Sequence, residues 1–219
     1  MIKLLVITVL SFSLFFGNKL GAETDKSVKE LMFRSTKLSI PQKYILPGFP
    51  SSIVPKGQGL DTEDGTLIEV PINDLGIKPI SHGSLTDKVE VLIYSSSNQF
   101  NPGALSAWNG TGLFDNRIIE FDEQTKLYRV YPKAGHPILW QYFKTSPEDG
   151  GDFLSSWVSS CTSPPGTDGK DLSKVKCQII NHYKTVKSQI TLSGENIKLL
   201  DSINVGYRSL LSSWESTNQ

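Results

Sequence analysis

Cysteine is scarce: the 219 residues include two, Cys161 and Cys177. Their spacing is far from C-x-x-C and no histidine adjoins either sulfur, which argues against a metal or redox pair. Histidine is scarce as well, with His82, His136 and His182 in no H-E-x-x-H or other close ligand spacing. No G-x-S-x-G elbow presents a serine nucleophile. Net charge is missing too, because 22 basic residues balance 22 acidic ones. Nucleic-acid binding rests on clustered Lys and Arg facing phosphates, so that class is disfavoured. Beyond the first residues there is no second long apolar run, no internal repeat and no low-complexity tract, so no membrane span is expected in the remainder.

What the chain does have begins at its start. Residues 1–22 carry one early cation, Lys3, then apolar runs from Leu4 to Leu10 and through Phe12, Leu14, Phe15 and Phe16, which give way at Gly17, Asn18 and Lys19. This reads as a secretory signal peptide with cleavage near Ala22. No cysteine lies near that junction, so a lipoprotein anchor would have no sulfur to acylate. Residues 23–219 are then expected to form one exported domain, with 20 basic and 22 acidic residues for a net charge of −2. In an oxidising compartment, Cys161 and Cys177 form a structural disulfide by default. They bracket Thr162 to Lys176, a stretch rich in Pro and Gly, and closing such a loop stabilises a fold by roughly 3 kcal/mol.

Short β-branched and aromatic runs separated by Gly, Pro, Asn and Asp predict strands over 66–70, 89–95, 117–122, 127–131, 138–143, 176–183 and 186–192. A hairpin turn is expected over 122–126. Residues 26–34 fit either a short helix or an extended lead-in. Residues 153–161 fit both a helical stripe and a strand face, and the strand places the two sulfurs across a hairpin. Ile197, Leu200, Ile203, Tyr207, Leu210, Leu211 and Trp214 recur at three- and four-residue steps, predicting an amphipathic C-terminal helix with Ser193 as its N-cap. Gly206 in its interior costs up to about 1 kcal/mol relative to Ala. The expected fold class is α+β, mainly antiparallel sheet with this helix packed on one face.

Candidate chemistry is sparse. Asp61, Glu63, Asp64 and Gly65 cluster oxygen ligands, but the alternation a calcium loop needs fails at Glu63-Asp64, so a polar turn is the better account. Glu120 with Asp122, or Glu148 with Asp152, can be nominated as paired acids; alternation with Ile119 and Phe121 instead puts the first pair on a solvated face. Trp108, Trp140, Trp157 and Trp214 with seven Tyr supply aromatic material for a binding patch. Trp214 falls on the apolar helix stripe and belongs to the core. Trp108 lies in a turn-rich loop, either as a partner anchor or as a plug at the end of the sheet. Asn109-Gly110-Thr111 is a glycosylation sequon in a eukaryotic source.

Taken in order, these features resemble the periplasmic immunity proteins encoded beside antibacterial effectors of type VI secretion systems, particularly those paired with lipase-type effectors. The resemblance is carried by the exported start, Leu38-Ser39-Ile40-Pro41-Gln42-Lys43-Tyr44, Gly65-Thr66-Leu67-Ile68-Glu69-Val70-Pro71 after the acidic turn, the Cys161/Cys177 hairpin and the closing helix to Trp214. It implies a stoichiometric inhibitor of a toxin, not an enzyme, with no cofactor and no metal. It implies contacts from loops over 100–114 and 145–152, where Trp108, Phe114, Glu148 and Asp152 are the candidates. The alternatives are an envelope hydrolase using Glu120, Asp122 or His136, and a carbohydrate-binding module using exposed aromatics.

Overall fold

The computed structural model describes residues 27–47, 65–80, 86–95, 114–132, 138–148, 153–167 and 169–216. The signal peptide expected over 1–22 and the acidic turn at 61–64 lie outside them.

Eight antiparallel strands form the main sheet: β3 (Thr66–Pro71), β4 (Lys88–Ser95), β5 (Ile118–Asp122), β6 (Leu127–Tyr131), β7 (Leu139–Phe143), β8 (Trp157–Thr162), β9 (Lys176–Tyr183) and β10 (Val186–Ser193). Their spatial order is β3-β4-β10-β9-β8-β7-β6-β5. Period-two alternation explains why these segments are strands. Val89, Val91 and Ile93 turn to one face, and the register sets Val91 against Ile190 and against Ile68, so apolar side chains line up across neighbouring strands. The same face continues through Ile179 and Cys177 on β9 to Cys161 on β8 and Trp140 on β7.

The C-terminal helix, α1 (Leu200–Trp214), covers that face with Ile203, Tyr207, Leu211 and Trp214, all buried in one contiguous core. Ser193 does accept from the Glu195 amide at 3.4 Å, as expected of a cap, but the first turns, Gly194–Leu199, are 3-10 rather than α. Deep in the core, the Tyr207 hydroxyl and the Ser188 hydroxyl on β10 lie 2.8 Å apart and share a hydrogen bond.

A short helix over 26–34 does not form. The extended alternative holds instead, as β1 (Val28–Phe33), which pairs with β2 (Thr36–Pro41) through a turn in which Arg34 takes φ 56°. Pairing wins because it adds Phe33, Leu38 and Ile40 to the main core. The hairpin is tied down by the Thr185 hydroxyl, which donates to the Phe33 carbonyl, and by the Ser216 amide, which donates to Lys37 at 3.1 Å. Residues 153–161 are likewise not one strand: a 3-10 turn, Phe153–Ser156, precedes β8.

The disulfide forms as expected. Cys161 and Cys177 sit directly opposite one another on β8 and β9, their Cα atoms 4.0 Å apart and both side chains fully buried. The hairpin over 122–126 also forms, closed by the Lys126 amide donating to the Asp122 carbonyl at 2.7 Å. On the opposite face of β5–β7, a second small core gathers Phe114, Val130 and Phe143, with Ile119, Tyr128 and Trp157 against it.

Candidate partner-binding surface

The β5–β6–β7 end of the sheet carries a cluster of charged and aromatic side chains. The β5–β6 hairpin sets Glu120 opposite Arg129, and the β6–β7 register sets Arg129 opposite Tyr142. Alternation therefore places Glu120, Asp122, Arg129, Tyr131, Trp140 and Tyr142 on one face. Arg129 lies over the Trp140 indole at 3.9 Å and beside the Tyr131 ring at 5.7 Å, a cation–π arrangement that holds the guanidinium in place.

Glu120 and Asp122 share this face but are not two free carboxylates. Asp122 Oδ1 accepts from the Gln124 amide at 2.9 Å, and Oδ2 accepts from the Tyr142 hydroxyl at 2.7 Å. Burial, reinforced by Asp122, pushes the Tyr142 phenol strongly up. Burial also pushes Tyr131 up to about 12, with the Glu120 carboxylate accepting from its hydroxyl as the next cause. Glu120 itself is exposed, but the expected solvated face does not form: Glu120 and Asp122 share the face of buried Trp140 and Tyr142, and Asp122 is half-buried. Phe121, expected inward, is 47% exposed because β5 is the edge strand.

The other nominated residues are scattered. Trp108, His82, His136 and Asp152 lie outside the described residues. Phe114, nominated as a contact, is only 2% exposed and packs with Val130 and Phe143. Glu148 is exposed, with its amide donating to the Ser146 hydroxyl at 3.2 Å. Trp140 and Trp214 are buried, and Trp157 is half-buried with its indole N–H on Gln141 Oε1 at 2.9 Å. These three do not form an exposed sugar platform. His182 is exposed on β9. Among the described residues no three His, Cys, Asp or Glu are grouped to hold a metal ion. No helix among them is long and apolar enough to cross a membrane.

Sequence reasoning missed Arg129 and Tyr131. The signal was available, because the turn over 122–126 fixes which residues of β5 and β6 face one another.

It also missed Lys187, which is fully buried on the opposite sheet face between Tyr94 and His182. Burial pushes its amine down to about 8 and pushes Tyr94 up to about 12. His182 is lowered by burial, then by the Lys187 and Arg208 charges. Between pH 8 and 10 the unfolded chain keeps a proton on Lys187 that the fold has shed, so stability rises with pH there. The rise is about 2 kcal/mol. Above pH 10 the unfolded tyrosines ionise before the buried ones, and stability falls again. Denaturant melts across pH 7 to 11 are expected to show this maximum, and Lys187→Met to flatten its rising limb; an unchanged limb would assign it to another group.

No protein-family model matches the chain, and no curated protein matches it. One solved structure aligns with it, an immunity protein of the Stenotrophomonas maltophilia type IV secretion system, at 11% identity and a TM-score of 0.49. The alignment covers 87% of this chain and 94% of that one.

Proposed function

We propose that this protein is an exported inhibitor that neutralises a cognate antibacterial toxin by forming a stoichiometric complex, with residues 23–219 acting as one periplasmic domain. The observation that carries the reading is the β5–β6 end of the sheet, where half-buried Arg129 and Tyr131 and exposed Glu120 reach the surface over a base of fully buried Trp140 and Tyr142. Arg, Tyr and Trp are the residues on which protein interfaces concentrate their binding energy. The acids on this face serve the fold, since Asp122 caps the hairpin and holds Tyr142. The buried disulfide fits a protein that folds in an oxidising compartment. The sequence resemblance adds the kind of partner: a lipase-type effector of a type VI secretion system, approached by loops over 100–114 and 145–152 with Trp108, Glu148 and Asp152 as contacts.

The test is capture of the partner by tagged, oxidised protein 23–219 from its own organism, followed by reconstitution. The captured protein, purified separately, is expected to form a 1:1 complex by light scattering and to kill cells when sent to the periplasm unless this protein is co-exported. Killing that co-export leaves unchanged would overturn the reading, as would failure to recover any stoichiometric partner.

A further inference from the structure

The guanidinium of Arg129 is held but not answered. Its plane is fixed against Trp140 at 3.9 Å, yet Nε and Nη2 are both buried without a hydrogen-bond partner. These two nitrogens form one edge of the guanidinium, the edge whose N–H bonds run parallel and match the two oxygens of a carboxylate. Trp140 is fully buried beneath the guanidinium, with its indole N–H directed at the Tyr142 hydroxyl.

Buried donors without acceptors are costly, more so on a charged group. Among the described residues, the neighbouring acids do not relieve that cost. Asp122 is committed to its turn and to Tyr142, and Glu120 faces the Tyr131 hydroxyl. Gly169 borders the same edge: a methyl group there would lie 2.6 Å from Nη2 and 3.1 Å from the Trp140 ring. Its φ of 68° independently favours glycine.

We propose that the Nε/Nη2 edge of Arg129, backed by Trp140 and bordered by Gly169, is a binding site for a carboxylate. A planar group with two oxygens and a full negative charge is the acceptor this fork fits; a cation or a neutral sugar hydroxyl leaves the charge unanswered. Both nitrogens are closed to solvent, so a carboxylate reaches them only when the chain around them is locally displaced. The carboxylate comes either from a small free acid or from an acidic side chain of a protein partner. The proposal stands on this geometry whether or not the partner is a toxin.

The experiment follows the side-chain Nε–H signal of Arg129 and the indole N–H signal of Trp140 by NMR in the oxidised protein. It titrates sodium acetate, then glutarate, against sodium chloride at matched ionic strength. Both signals are expected to move saturably with the carboxylates and not with chloride. Arg129→Lys keeps the charge and loses the fork, and should weaken acetate binding by at least about tenfold. Gly169→Ala crowds the fork while keeping Arg129 and should abolish the response. Near-UV circular dichroism verifies that each variant is folded. A second arm measures the affinity of the captured protein partner for wild type and Arg129→Lys. A loss there assigns the carboxylate to a protein side chain, whereas acetate binding with unchanged partner affinity assigns it to a free acid. The proposal is overturned if neither carboxylate moves either signal in folded wild-type protein and Arg129→Lys leaves partner affinity unchanged, or if chloride moves both signals equally.

Discussion

Replacing both cysteines, Cys161→Ala with Cys177→Ala, is expected to lower the unfolding free energy by about 3 kcal/mol and the thermal midpoint by roughly 6–12 °C. The two residues are 16 apart in sequence and face one another across β8 and β9. Without the bond, the unfolded chain regains the freedom of the Pro- and Gly-rich segment between them, which is the entropic part of the loss. A packing part adds to it, because both sulfurs are fully buried in the core that also holds Trp140, Ile179 and Leu192. Only three residue pairs join β8 to β9: Ser160 with Gln178, Cys161 with Cys177 and Thr162 with Lys176. So short a ladder has little to fall back on when its central pair is cut. The reduced wild-type protein should match the double variant within about 1 kcal/mol, since alanine removes little volume beyond the sulfur. A variant as stable as the oxidised protein would mean that the ladder alone already confines the segment.

Much of this architecture is legible in the sequence because its signals are local. The strand over 89–95 announces itself by alternation, the hairpin over 122–126 by turn residues between two such runs, and the helix by its apolar stripe. The disulfide needed no alignment, since the two cysteines of the sequence have only each other to pair with. What was not legible depends on contacts distant in sequence. The β1 segment contains Leu31, Met32 and Phe33, which fit a helix as readily as a strand; its state is decided by pairing with β2 and by attachment to Thr185, far along the chain. The 3-10 entry to the final helix has the same character. Gly194 packs so close to Val175 that a side chain there would lie 2.9 Å from Val175 Cβ, so the first turns follow the neighbouring chain rather than their own propensity. The Arg129 cluster was half legible. Register follows from the hairpin, but the stacking on Trp140 required knowing that β7 lies next to β6.

Gly206→Ala should destabilise the protein by about 2–4 kcal/mol, although intrinsic propensity points the other way. In an exposed helix interior, exchanging glycine for alanine gains up to about 1 kcal/mol. Here the 3-10 turn Ile72–Leu75 presses on the helix, and a Cβ at position 206 would lie 2.3 Å from the Leu75 carbonyl oxygen and 2.9 Å from Leu75 Cβ. The nearest obstacle is backbone, which cannot swing aside as the end of a flexible side chain can. That turn is itself anchored: the Ile72 amide donates to the Asp87 carbonyl at 2.8 Å, and Asp74 takes the Tyr44 hydroxyl at 2.7 Å. The helix would therefore have to move, carrying Ile203 and Tyr207 out of the core and straining the bond between Tyr207 and Ser188. Val205→Ala, one residue earlier at a position 67% exposed, should change stability by no more than about 0.5 kcal/mol. The sign of the Gly206 effect in denaturant melts separates the two accounts. A loss places the close approach of helix and turn in solution, and a gain of about 1 kcal/mol would show that propensity governs the position and that the turn at Leu75 is free to retreat.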